Sequence, residues 1–218
     1  MGLGVANLAA DLGADVTTAS RKNSSAGGQH VRLDLARESS IREAFSNLAK
    51  VDHLVITAAP DVGSWGAPPD YDLSSEATYV QGKLMGSWAC ARYALQKMGE
   101  GSSITFVSGG LAAKPKSGFA PVSVAFAGLE ALSRCLAVEY APVRVNCIRA
   151  GFVDTEMWSF LTEEQRDGLK EKIKSNFPAR RGGTVHDIAD AAVFLMNNRY
   201  TTGATIEVTG GETLVDAV

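Results

Sequence analysis

The feature that most constrains this chain is an alternation. Short runs rich in β-branched and apolar residues occur at 15–20 (DVTTAS), 31–35 (VRLDL), 53–59 (HLVITAA), 103–108 (SITFVS), 143–148 (VRVNCI) and 205–210 (TIEVTG). Between them lie stretches of helical length and period at 40–49, 78–98, 123–141 and 185–197. Strands that are nearly continuously apolar must be buried on both faces, which requires a parallel sheet with helices above and below. The expected fold is therefore α/β, a Rossmann-type doubly wound parallel sheet in a single domain spanning 1–218. Ligands of such folds bind at the carboxyl ends of the strands, so the residues that end each run are the ones to examine for chemistry.

The chain opens with MGLGVANLAADLGADV, which reads as the first helix, although a dinucleotide fold begins with an apolar strand and a glycine-rich turn. Near the other end, Thr184 followed by Asp187 gives an N-cap with an acid in the first turn of the helix that follows. The irregular region 154–184 contains LTEEQRDGLKEKIK (161–174), an amphipathic helix expected to form a lid over the site. A net charge of −3 without a basic stripe argues against a nucleic-acid partner. Cys90, Cys135 and Cys147 lie in apolar runs without CxxC spacing, so buried thiols in a reducing compartment are expected, and no metal site. No uninterrupted apolar run reaches the roughly 18 residues of a membrane span, and no charged segment leads into a signal core. The expectation is a cytoplasmic protein with no membrane partner.

Taken in order, LGADVTTASR, Asp34-Leu35, DHLVITAA, ITFVSGG, LAVEYAPVRVNCIRAGFVDT and YTTGATIEVTGGETLV resemble the short-chain dehydrogenase/reductase family over essentially the whole chain. In that resemblance Gly2 falls on the last glycine of the TGxxxGxG turn, which places the first strand and most of the turn upstream of Met1. That strand is central in the family, so its absence is expected to leave a slot of roughly 10 Å between its neighbours.

The resemblance also assigns roles. Ser20, Arg21 and Lys22 follow the second strand of the family, where a basic residue suits the 2′-phosphate of NADP(H) and an acid would suit NAD. Their alternative reading is a solvated strand end. Asp34 is implied in binding the adenine amino group, or else caps its own turn, with Leu35 beside it. Thr57, Ala58 and Ala59 replace the usual Asn-Asn-Ala-Gly and keep small residues where a nucleotide approaches the backbone. Gly151, Val153 and Thr155 stand in the segment that holds the nicotinamide carboxamide, with Ala150 in place of the usual proline. Gly2, Ser20, Arg21, Asp34, Leu35, Ala58, Ala59, Gly151, Val153 and Thr155 are thus the expected cofactor-binding set.

The catalytic pair departs from the pattern. The family's Tyr-x-x-x-Lys falls on Val122 and Phe126, neither of which moves a proton. Tyr93 and Lys97 have the same spacing but precede the relevant strand, so they are read as a decoy, a partly buried ring and a solvated lysine. The spacing recurs at Tyr79 and Lys83. Lys83 stands where the family has an asparagine that supports proton relay; it could anchor a substrate oxygen, supply a proton through water, pair with cofactor phosphates, or simply face solvent. Ser108 is a candidate to hydrogen-bond a carbonyl oxygen, although Gly109 aligns slightly better with the family's serine. Lys114 and Lys116 border the same crevice. Similar departures, a Lys-Phe-x-Gly and a Ser-Gly followed by Arg-Pro, mark a divergent bacterial and fungal branch of the family, some of it tied to secondary metabolism.

His30, His53 and His186 are read as structural. Trp65, Trp158 and Phe160 suggest an aromatic or apolar substrate, or else close the core. The implied function is an NADP(H)-dependent oxidoreductase acting on a small carbonyl or alcohol with Lys83 and Ser108 as catalytic candidates. The rivals are a non-redox protein of the cyclase or isomerase kind using the same pocket, and an inert fragment. A homo-oligomer is implied through the helices of 76–98 and 119–140 and the C-terminal strand.

Overall fold

A computed structural model describes residues 1–22, 28–60, 73–155 and 161–215. In chain order it contains α1 (Gly2–Asp11), β1 (Thr17–Ser20), β2 (Gln29–Arg32), α2 (Glu38–Ser46), β3 (His53–Ile56), α3 (Leu73–Val80), a π-helical segment (Gln81–Gly86), α4 (Ser87–Leu95), β4 (Ser103–Gly109), α5 (Ala120–Glu139), β5 (Arg144–Ala150), α6 (Glu163–Asn176), α7 (Val185–Asn197) and β6 (Thr205–Val208). Among the described residues all strand pairs are parallel. The ladder β3-β4-β5-β6 is continuous, while β1 and β2 pair separately, so hydrogen bonding is interrupted between β1 and β3.

The apolar strands act as anticipated. On one face, Ile104, Phe106, Val145 and Cys147 pack with Ile41, Phe45, Ala91, Leu129 and Leu136 of α2, α4 and α5. On the other, Val107 and Ile148 meet Val5 of α1 and Ile188, Ala189, Ala192 and Leu195 of α7. Helices on both faces explain why these strands lack the polar alternation of a half-exposed sheet. Arg144 joins the layers at the opposite end of the sheet: its guanidinium donates to the carbonyls of Leu195 at 2.6 Å and Met196 at 2.8 Å, capping the C-terminus of α7 with positive charge.

Local chemistry shifts several boundaries. The second run leaves the ladder after Arg32 because Asp34 forms a turn, accepting from the Ala36 N–H at 3.0 Å while its own N–H donates to Ser40 Oγ at 3.1 Å. The helix expected over 78–98 starts at Leu73 and contains the π segment, where Gly82 and Gly86 allow close backbone approach. A Cβ on Gly82 would lie 2.5 Å from Pro60 Cγ, and one on Gly86 only 2.2 Å from the Leu35 carbonyl oxygen. Thr184 caps α7 as expected, in a full box with Asp187. A second box, Thr162 with Gln165, starts α6, two residues after the predicted helix start. By length and composition α5 is apolar enough to cross a membrane, which reading the sequence for uninterrupted apolar runs missed. One of its sides packs on β4 and β5, and it carries Glu130 inward.

Candidate active site

The carboxyl ends of β3, β4 and β5 gather the residues that matter. Lys83 is only 2% exposed, held in the π segment with its Nζ donating to the Ala58 carbonyl at 2.9 Å. Its ammonium stands 5.9 Å from the centre of the Phe126 ring. Burial pushes its pKa down to about 8, with the neighbouring Cys147 thiol opposing the shift. The solvated alternative for Lys83 is therefore excluded. π-Helical turns recur at functional sites, since the extra residue rotates a side chain out of the regular register.

The facing helix α5 presents Val122, Phe126 and Glu130 at intervals of four, one above another on a single face. Tyr79, on α3, packs against Val122 and Ala125. Burial raises its hydroxyl to about 12, so it holds its proton throughout the neutral range. Tyr93, by contrast, donates to Glu38 Oε1 at 2.8 Å, far from these residues along the fold, and that bond raises its pKa. The repeated Tyr-x-x-x-Lys spacing thus has two different fates: the copy at 93 serves α2, and the copy at 79 faces α5.

Ser108 requires a correction. Expected to bond a substrate carbonyl, it is 3% exposed and donates to Glu130 Oε1 at 2.8 Å. Its single proton is committed to a carboxylate inside the core, whereas a Cβ on Gly109 would lie 2.6 Å from the Phe126 ring. Glu130 in turn receives Arg149 through Nε at 2.9 Å and Nη2 at 2.6 Å, and Arg149 also pairs with Glu207, which accepts from Thr213 at 2.8 Å. Ser108, Arg149 and Glu207 are direct register partners across β4, β5 and β6. The signal for this row lay in the sequence as an arginine inside an apolar strand and a glutamate on the inward face of a helix.

The expected cofactor residues are distributed along the same edge. Ser20 ends β1 and Arg21 follows it, with Ser20 Oγ donating to the Lys22 carbonyl. Asp34 caps its own turn and pairs with Arg37 at 3.1 Å, the second of its two anticipated roles. The Leu35 side chain is buried in the core, while its carbonyl abuts Gly86. Ala58 and Ala59 are exposed beyond β3. Gly2 lies so close to that strand end that a Cβ would meet Thr57 Oγ1 at 2.7 Å. Gly151 is equally cramped, a Cβ there lying 2.6 Å from Thr209 Cα. Val153 is buried and bridges to Gly183, and Thr155 is partly exposed. Asp154 ties this segment to α6 through Arg166 at 2.8 Å and Lys170 at 3.2 Å, which hold its carboxyl below the usual range. Among the described residues no group of His, Cys, Asp and Glu is arranged to hold a metal. Trp65, Trp158 and Phe160 lie outside the described residues.

Residues 1–213 match the family described as enoyl-(acyl carrier protein) reductase. Similar proteins include the short-chain dehydrogenase/reductase fsr5 of Gibberella fujikuroi, 30% identical over 81% of this chain and 68% of that protein. The 3-oxoacyl-[acyl-carrier-protein] reductase of Bos taurus is 33% identical over 85% of this chain and 78% of its own length. The chain belongs to the short-chain dehydrogenase/reductase family. A small-chain dehydrogenase in complex with NADPH has the same fold, with a TM-score of 0.85 and 28% identity over 98% of this chain and 93% of its own. The ligand-free aldohexose dehydrogenase of Thermoplasma acidophilum, 19% identical over 98% of this chain and 89% of that one, shares the fold with a TM-score of 0.90. This short-chain dehydrogenase/reductase thus has the architecture of oxidoreductases that bind NAD(P).

Proposed function

We propose that this protein is an NADP(H)-dependent oxidoreductase that interconverts a small carbonyl compound and its alcohol, with Lys83 supplying or taking up the proton. The observation that carries the reading is the buried Lys83 amine, held by the Ala58 carbonyl against the Phe126 ring. With its pKa near 8 it exists in both protonation states close to neutrality, as a proton-transfer group requires. The nicotinamide cofactor supplies the hydride. Arg21 would hold the 2′-phosphate of the cofactor. Ala58, Ala59, Val153 and Thr155 would complete the cleft, and α6 would cover it as a lid.

The substrate is small, apolar or aromatic in part, the protein cytoplasmic, and the assembly a homo-oligomer. Met85 and Trp88 on one helix, and Val124 and Val138 on α5, are exposed apolar residues that a second copy would cover. Val122 and Phe126 also favour a second reading, a non-redox reaction in the same cleft. Fluorescence titration with NADPH, followed by NADPH oxidation against a panel of aldehydes and ketones, tests both. Binding with oxidation that Lys83→Met abolishes supports the oxidoreductase. Binding with product formation but an unchanged cofactor supports the second reading, and no binding refutes the NADP(H) assignment.

A further inference from the structure

Tyr79 is a buried titratable group that the proposed reaction does not use. It lies on the last turn of α3, four residues before Lys83, and is 5% exposed. The chain here is pressed against the carboxyl end of β3, where Lys83 Nζ bonds the Ala58 carbonyl at 2.9 Å and a Cβ on Gly82 would lie 2.5 Å from Pro60 Cγ. The Tyr79 ring packs on Val122 and Ala125 of α5, with Phe126 and Leu111, two residues after β4, beside them. Phe126 links the two groups, since the Lys83 ammonium stands 5.9 Å from the centre of that ring. None of these four apolar side chains can donate or accept a hydrogen bond. Among the described residues the Tyr79 hydroxyl has no partner, and burial alone raises its pKa. Buried tyrosine hydroxyls ordinarily find a partner, because an unpaired polar group destabilises the fold. Tyr93 finds one in Glu38. A phenylalanine would fill the apolar space at 79 equally well, so packing accounts for the ring and not for the hydroxyl. An acceptor atom on a ligand, at the carboxyl edge where α/β sheets bind them, supplies what the fold does not.

We infer that Tyr79 is a second catalytic residue, whose hydroxyl donates a hydrogen bond to the carbonyl oxygen of the substrate. The inference rests on the oxidoreductase reading for the reaction itself. NADPH gives a hydride to the carbonyl carbon, the C=O π pair moves to oxygen, and Lys83 gives that oxygen a proton, leaving the alcohol, NADP+ and a neutral amine that water reprotonates. Tyr79 keeps its own proton, and its bond strengthens as charge grows on the oxygen. Tyr79→Phe removes the hydroxyl alone. Calorimetry of acetophenone and cyclohexanone with the full chain and NADP+, which cannot reduce a ketone, reads the contact without turnover, and NADPH oxidation by the same ketones reads the reaction. The substitution should weaken ketone binding about fivefold, the ratio one neutral hydrogen bond provides, and lower kcat about 100-fold. The pH dependence of kcat, set by Lys83, should keep its midpoint near 8, and NADPH affinity and the urea midpoint should not fall. Weakened ketone binding with no turnover by either protein would keep the Tyr79 contact and refute the oxidoreductase reading. Equal kcat in the two proteins, ketone binding that is equal in both or absent from the wild type, or a lower urea midpoint, the sign of a partner within the fold, would overturn the inference.

Discussion

Replacing Lys83 by methionine removes a buried charge while nearly conserving volume, and its consequence can be worked through. The amine's ordinary pKa of 10.5 falls to about 8 in the fold, and burial is the cause. At about 1.4 kcal/mol for each tenfold change in proton affinity, holding the proton inside costs the native state about 3 kcal/mol at pH 7. Below pH 8 the amine is protonated in both states, so this penalty is present in full. Between pH 8 and 10.5 the unfolded chain binds a proton that the folded chain lacks, and wild-type stability rises with pH. Lys83→Met has no such window. The variant loses one hydrogen bond to Ala58, an exposed residue whose carbonyl water can reach, so its net gain at pH 7 should be about 2 kcal/mol. The gain should fall by about 3 kcal/mol over this range, pass through zero near pH 10 and become a small deficit by pH 10.5. Urea denaturation of both proteins in steps from pH 7 to 10.5 measures the difference. The thiol of Cys90, raised by burial to about 12, affects both proteins equally, whereas Cys147, raised by burial to about 11, is coupled to Lys83, so the comparison is made in a Cys147→Ala background to isolate the amine. A constant difference across this range, or a methionine variant less stable at pH 7, would refute a buried, charge-penalised amine.

Three further outcomes are expected. Arg149→Met leaves the Glu130 carboxylate, 8% exposed, without its cation, and should lower the unfolding free energy by about 3–5 kcal/mol in denaturant titration, whereas removing both partners together should cost much less. Gly86→Ala drives a methyl group into the Leu35 carbonyl, and since the obstacle is backbone it should lose at least about 1–3 kcal/mol and weaken NADPH binding measured by fluorescence. Thr184→Ala opens the box that starts α7 and should lower stability by about 1 kcal/mol, seen as a fall in thermal midpoint with the fold retained by circular dichroism.

The layered α/β architecture was legible because it depends on properties that each segment carries alone. The runs ITFVS and VRVNCI are apolar on both faces whatever surrounds them, and Thr184 with Asp187 makes a cap from four consecutive residues. Side-chain partnership was not local in this way. Ser108 could be placed at a strand end, but that its proton goes to Glu130 depends on α5 crossing β4 and β5 at one particular rotation. Lys83 could be counted four residues after Tyr79, yet its direction is set by a π turn and by two glycines that bring the helix close to Pro60 and Leu35. Periodicity and caps follow from the covalent order of the chain and short-range sterics, so the sequence determined them. The charge state of a buried amine and the partner of a hydroxyl depend on which groups from distant segments replace water around them, and only the tertiary structure decides that.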